Sequence, residues 1–307
     1  MDNRIGLHVN YFRGTPYEYD MFAAARCISR AGGSVIEMMP AHLFHYTHDD
    51  RLRLRDLLAQ LDMELIVGAG RTPGTNASSP DPAVREASFD ASVNIMSLLA
   101  ELGCHKWDGL IHAAWPEKPD GVLTPDKKKE ILARSAAEMR RILPIAEELD
   151  IDLCFELVNR FEHYLLNTVD EGVAFCRRFD SPRAKLLIDV FHMNIEEDSM
   201  SAAISTAADS GFMRHVHICE ANRSMPGTVP THLDWSGIFD ALVRAGYKDS
   251  IVLEPFVVGG TEFSNVSAIW RDQTHGGGFA WMLKAVETGI SFAKSSLAAA
   301  EARKSID

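Results

Sequence analysis

Short apolar runs recur along the chain, each followed by a longer stretch with helical spacing. The runs are RIGLHV (4–9), SVIEMM (34–39), ELIVGA (64–69), GLIHAA (109–114), DLCFEL (152–157), KLLIDV (185–190), HVHIC (215–219) and SIVLEP (250–255). Continuous Val-, Ile- and Leu-rich runs of this length suit parallel strands buried on both faces. The segments between them suit amphipathic crossover helices. In AAEMRRILPIAEEL, Met139, Ile142, Leu143 and Ala146 follow i, i+3, i+4, i+7, and Pro144 is expected to kink the helix. Thr168 to Glu171 reads as a capping box. Thr124-Pro125 and Ser79-Pro80 each place a cap residue before a proline at the first helical position. Asp234 is placed to cap WSGIFDALVRAG, which stops at Gly246.

Eight strand–helix units in 307 residues predict an α/β fold, a (β/α)8 barrel forming a single domain over 1–307. Its final helix and a frayed polar tail, AEARKSID, are expected over about 278–307. The alternative, a doubly wound open sheet, more often shows GxGxxG after the first strand, and none stands there.

In a barrel, chemistry gathers where the strands end at the C-terminal face. Run five closes with Glu156, run six with Asp189, run seven carries His217 and run eight Glu254. Each lies about one strand–helix repeat from the next, so the four are expected to converge on the barrel axis. Three carboxylates in a partly dry pocket repel one another, and a cation relieves that cost. Oxygen and nitrogen donors without a thiolate suit Mn²⁺, Mg²⁺ or Co²⁺ better than a structural zinc. Taken singly, each position also reads as a solvated rim residue, a helix cap or a satisfied core histidine. Set among Phe155, Leu157, Ile188, Val190, Val216 and Ile218, however, charges are costly unless paired or metal-bound. Glu37 ends run two and Arg71 follows run three; either could reach the mouth, solvate the rim or cap a helix.

Composition narrows the class further. Apolar residues make up 46% and charged residues 24%, the balance of a globular protein with a sizeable core. A formal charge of -12 argues against general affinity for nucleic acid or an anionic membrane. No apolar run reaches the roughly 18 residues a membrane helix needs. The start, MDNRIGLHVNYF, lacks the build of a signal peptide, so a cytoplasmic location is expected. Five scattered cysteines with no CxxC spacing signal neither a disulfide framework nor a zinc knuckle, and reduced, buried, inert thiols are expected.

The stretches ELVNRFEHYLLN (156–167), IDVFHMNIEE (188–197), HVHICEANR (215–223) and LEPF (253–256) resemble, in order, the D-tagatose 3-epimerase family. That family is also called D-allulose (D-psicose) 3-epimerase or L-ribulose 3-epimerase, and belongs to the xylose-isomerase-like TIM barrel superfamily. AAWP (113–116) and IWRD (269–272) extend the resemblance over essentially the whole chain. It implies a divalent-metal-dependent ketose 3-epimerase, typically with Mn²⁺ and with Mg²⁺ or Co²⁺ accepted. The metal ligands carry over onto Glu156, Asp189, His217 and Glu254, and the catalytic acid/base pair onto Glu156 and Glu254. Glu162, His192, Arg223 and Trp115 fall on substrate-contacting positions. A small ketose is the implied partner, and a homodimer or homotetramer the implied assembly; a monomer-sized particle in light scattering would refute the latter. Where the family usually has an aromatic residue at the end of the first strand, this chain has His8, followed by Tyr11 and Phe12. His112 stands near another pocket-lining position that varies in the family. Both departures bear on which sugar is preferred.

The implied chemistry is proton removal from a carbon beside a carbonyl, with a divalent ion stabilising the enediolate. One glutamate takes the C3 proton and a second returns one to the opposite face, which inverts the centre. Arg223 reads as a stabiliser of the sugar oxygens or as a salt-bridge partner of Glu220 or Glu162. His192 reads as a sugar contact or as the orienter of a ligand, and Glu162 as the holder of His192 or of substrate. Trp115 offers an apolar face to a sugar, or simply core packing. Rival readings are an aldose–ketose isomerase or polyol dehydratase on the same barrel, a metal-dependent DNA-repair endonuclease, and a noncatalytic sugar-binding barrel.

Overall fold

The computed structural model describes residues 3–305. Its strands are β1 (Ile5–His8), β2 (Val35–Met38), β3 (Glu64–Gly68), β4 (Lys106–Gly109), β5 (Asp152–Glu156), β6 (Ala184–Asp189), β7 (Met213–Ile218) and β8 (Ile251–Leu253). They run in that order around a closed barrel, and β1 pairs parallel with both β2 and β8. The single-domain (β/α)8 barrel read from the sequence is the fold. Two compact units can be told apart within it; one of the four divisions precedes α8 (Met200–Asp209), and the other three fall inside β3, α8 and β7, so these three elements belong to both.

The earlier helices are α1 (Met21–Arg30), α2 (Pro40–His45), α3 (His48–Gln60), α4 (Pro82–Leu102), α5 (Pro125–Glu148), α6 (Val169–Cys176) and α7 (Val190–Glu196). After α8 come α9 (Trp235–Arg244), α10 (Glu262–Val266) and α11 (Gly278–Lys304). Asp234 caps α9 and Thr124 caps α5, each accepting from a backbone N–H in the first turn. The α5 helix continues through Pro144 to Glu148. All five cysteines are buried thiols.

Four expectations need correction. The fourth strand is Lys106–Gly109, which ends on the first residue of the apolar run GLIHAA; the rest of the run, 110–114, forms the buried loop after it. Strand alternation puts Lys106 and Asp108 on one face with Asp152 and Cys154, their register partners on β5, so charge occupied the positions where apolar residues were sought. Gly109 then turns the chain at φ +103, where a Cβ would meet the Ala69 carbonyl oxygen at 2.7 Å. Secondly, α4 starts at Asp81-Pro82, not Ser79-Pro80; Asp81 accepts from Ala83 N–H while Ser79 Oγ accepts from Asp81 N–H. Thirdly, the box at Thr168 is half made. Thr168 Oγ1 accepts from Glu171 N–H, but Glu171 takes the N–H of Asn167 and the Lys128 ammonium. Finally, the supposed frayed tail is helical through Lys304, with Arg303 paired to Asp240; Ile306 and Asp307 lie outside the described residues.

Candidate functional site

His8 ends β1, Glu37 sits on β2, His217 sits on β7 and Glu254 follows β8. Each is a polar side chain among buried aliphatics, and each has its partner within this group. Glu37 is fully buried and accepts from His217 Nε2 at 2.9 Å; its other oxygen stands 3.4 Å from His8 Nε2. His217 Nδ1 lies 3.5 Å from Glu254 Oε2, which also accepts from Arg223 Nη1 at 2.8 Å. Arg223 is held by its turn (φ +64), by Phe256 N–H donating to its carbonyl at 2.8 Å, and by stacking over the Phe256 ring at 4.7 Å. It pairs with Glu254. Glu220 instead accepts from Trp235 Nε1.

Charge is strongly shifted in this group. Burial alone would raise the Glu254 pKa, but the Arg223 guanidinium and then His217 reverse that and hold the carboxyl well below the usual range. Burial alone would lower His217, and the carboxylates of Glu37 and Glu254 outweigh it, so the ring titrates well above an ordinary histidine. Burial lowers His8 despite Glu37 beside it.

Glu156 closes β5, and Asp189 closes β6 while capping α7, its Oδ1 accepting from Phe191 N–H at 2.9 Å. His192, one turn on, places Nε2 at 3.6 Å from Glu156 Oε1 and 3.5 Å from Asp189 Oδ2. Its Nδ1 accepts from the backbone N–H of Asn159 (3.1 Å) and from the Asn159 amide (2.8 Å). With Nδ1 engaged as an acceptor, the ring proton stands on Nε2, aimed at the two carboxylates. Asn159 also donates to Glu162 Oε1 at 3.3 Å, and Glu162 Oε2 accepts from Trp115 Nε1 at 2.8 Å. A chain therefore runs from Trp115 through Glu162 and Asn159 to His192. Asn159 was not singled out from the sequence, although it lies inside ELVNRFEHY between two residues that were.

One potential ligand atom from each of Glu156, Asp189, His217 and Glu254 lies within 4.8 Å of the others. These are the four residues that strand spacing selects. Three hard carboxylate donors and one imidazole, largely buried, fit a divalent cation of the Mn²⁺, Mg²⁺ or Co²⁺ type. A second set sharing His217 comprises Glu37, Asp108 and His215, all buried.

His112 and Arg71 are not part of this group. The His112 ring stands with Phe155, Phe175 and His163 at centroid distances of 6.1, 5.8 and 6.2 Å. Phe155 alternates with Glu156 on β5, so this cluster lies between strands and helices, outside the barrel interior. Arg71 reaches neither mouth nor rim. It is buried, donating to Ile111 O, Ser88 O and Ser92 Oγ, with its guanidinium over Trp107.

Ionisable groups gathered at the strand ends of a closed parallel barrel define a barrel-type enzyme. A family model described as Xylose isomerase-like TIM barrel matches residues 25–283. The D-psicose 3-epimerase of Ruminiclostridium cellulolyticum is 34% identical over 290 residues, covering 94% of this chain and 96% of that protein. The L-ribulose 3-epimerase of Mesorhizobium japonicum is 30% identical over 274 residues, 88% of this chain and 87% of that one. A crystal structure of D-psicose 3-epimerase with D-tagatose, from Clostridium cellulolyticum H10, matches with a TM-score of 0.88 at 30% identity, covering 96% of this chain and 99% of that one. The chain belongs to the xylose isomerase-like TIM barrel family and, within it, to the carbohydrate 3-epimerases of the isomerase class. Among the described residues, no helix is long and apolar enough to cross a membrane.

Proposed function

We propose that this protein is a divalent-metal-dependent epimerase that inverts C3 of free ketoses of the D-fructose, D-tagatose and L-ribulose type. The observation that carries this reading is the convergence of Glu156, Asp189, His217 and Glu254. Relatives named for D-psicose and L-ribulose, and a matching structure holding D-tagatose, support the substrate class. A divalent ion held by these residues supplies Lewis acidity to a neighbouring carbonyl–hydroxyl pair.

The protein's own groups do the rest. Glu254, ion-paired with Arg223, is one of the two proton-transfer groups at C3. Glu156, beside His192 Nε2, exchanges the proton on the opposite face. Two carboxylates are needed because one base on one face would return the proton where it came from. His192, Glu162, Arg223 and Trp115 orient the sugar, and the Asn159 link makes His192 and Glu162 one rigid unit. His8 stands at the position where the resemblance expects a sugar contact, with Nδ1 taken by Asn10 N–H and Nε2 beside Glu37.

The test is a panel of D-fructose, D-tagatose and L-ribulose with metal-stripped protein resupplied with one metal at a time. C3 epimers are expected, with loss of activity on stripping and recovery with Mn²⁺. Glu156→Gln and Glu254→Gln should each lower kcat by at least about a thousandfold, because each removes a proton-transfer group. Aldose products would make the enzyme an isomerase, and metal-independent turnover would defeat the reading.

A further inference from the structure

The two ring nitrogens of His217 look at different neighbours. Nδ1 faces Glu254 at 3.5 Å, and Nε2 is bonded to Glu37 at 2.9 Å. Glu37 is not exposed at all, and its second oxygen lies 3.4 Å from His8 Nε2. The tautomer of His8 follows from its other contact. His8 Nδ1 accepts from the backbone N–H of Asn10 at 3.1 Å, so Nδ1 carries no proton and the proton of the neutral ring is on Nε2, turned to Glu37. One buried carboxylate thus bonds His217 Nε2 through one oxygen and has its other oxygen within ion-pair distance of His8 Nε2.

We propose that Glu37 is a positioning residue that accepts the Nε2 proton of His217, with His8 Nε2 beside its other oxygen, so that Nδ1 is the nitrogen His217 gives up to a divalent ion beside Glu254. The assignment rests on the metal-dependent reading above and adds a residue to it. A ligating imidazole must present a lone pair, and the hydrogen bond at its other nitrogen decides which nitrogen does so. A carboxylate there also raises the ring's basicity as a ligand. The same contact ties His8 on β1 to His217 on β7, so the strand-one position that departs from the family's aromatic is held against the metal ligand itself. On this reading the set Glu37, Asp108, His215 and His217 is a supporting layer and holds no ion of its own.

Glu37→Gln is the test. Glutamine keeps the size and one acceptor oxygen, but its amine, if turned to His217 Nε2, drives the ring proton onto Nδ1. Mn²⁺ titration of stripped protein, followed by electron paramagnetic resonance of the unbound ion, should show one site per chain in the parent. Affinity in Glu37→Gln should be weaker by about 10- to 100-fold. At saturating Mn²⁺ kcat should recover to within a few-fold, and the unfolding temperature of the stripped variant should match the parent's. Equal affinity in parent and variant overturns the assignment of Glu37, and so do two Mn²⁺ ions per chain in the parent. No Mn²⁺ binding by the parent would instead refute the metal-dependent reading itself. A measurement without a variant is long-range ¹H–¹⁵N correlation on ¹⁵N-histidine-labelled parent protein loaded with Mg²⁺. Nε2–H tautomers are expected at His8 and His217, and an Nδ1–H form at either overturns the proposal.

Discussion

Replacing His112 with leucine should stabilise the protein, and more so as pH falls. The His112 side chain is wholly buried, and among the described residues neither ring nitrogen has a hydrogen-bond partner. Burial, then the neighbouring His163 and Arg71, push its pKa down from 6.5 to about 3. The folded protein therefore binds fewer protons at this site than the unfolded chain between those values. Stability from this site is intact above pH 6.5 and is lost as pH falls toward 3. One such group costs about 2 kcal/mol at pH 5 and only about 0.2 kcal/mol at pH 7. At neutral pH, leucine also removes two buried polar atoms that make no bond, worth about 1–3 kcal/mol before any cost of refitting the cavity. Urea unfolding of parent and variant at both pH values isolates the effect, because every other titrating group cancels in the difference. The gap between the two proteins should widen by about 2 kcal/mol from pH 7 to pH 5, some 3 °C in unfolding temperature for a chain of this size. A gap that does not change with pH would refute the argument, since it would mean that His112 takes up its proton in the folded state.

Arg71→Met should destabilise the fold by about 3 kcal/mol in urea titration, because it removes three buried charge-assisted hydrogen bonds and takes a donor from the Ile111 and Ser88 carbonyls, of which Ser88 keeps the Ser92 hydroxyl. A loss under about 0.5 kcal/mol would mean water replaces the guanidinium. Mn²⁺ binding should release close to one proton at pH 7, since His217 titrates well above 6.5 and the ion takes the nitrogen that the proton held. Calorimetry in two buffers of different ionisation enthalpy measures that release; affinity should rise about tenfold per pH unit until His217 is deprotonated, and a release near zero would contradict it.

Strand order and the convergence of Glu156, Asp189, His217 and Glu254 were legible in the sequence for one reason. Each of the four is a single polar residue at or near the end of an aliphatic run, and the end of a barrel strand has only one place to point. Legibility failed where polar residues lay inside the barrel, as with Lys106 and Asp108, which hid β4 and shifted the expected strand onto the following loop. It failed again where a side chain's direction depends on partners distant in the chain. Position alone left Glu37 and Arg71 open to the mouth, the rim or a helix cap. Glu37 is buried between rings from β1 and β7, and Arg71 turns back to a helix and a loop. The partner of Arg223 followed from its positive φ, which no spacing reveals. His112 lies inside GLIHAA, and that apolar setting was itself a signal of core placement.

The polar groups inside this barrel are better understood as two layers than as one site. A barrel interior is ordinarily filled with branched aliphatic side chains. Here β4 and β7 turn Asp108 and His215 inward, with Oδ2 and Nε2 3.4 Å apart, and β2 contributes Glu37. Two unit charges about 4 Å apart interact by about 4 kcal/mol at an effective dielectric of 20, comparable to the cost of burying one of them. Glu37 therefore does not merely tolerate His217; it is among the largest influences on that ring's charge. The consequence is a division of labour. On the proposed reading the inner layer would set the protonation of His217, while the loops carrying Trp115, Asn159 and Glu162 would shape the space a sugar meets. Substitutions in the loops should then move KM and sugar preference with little change in metal affinity, and substitutions in the inner layer should do the reverse.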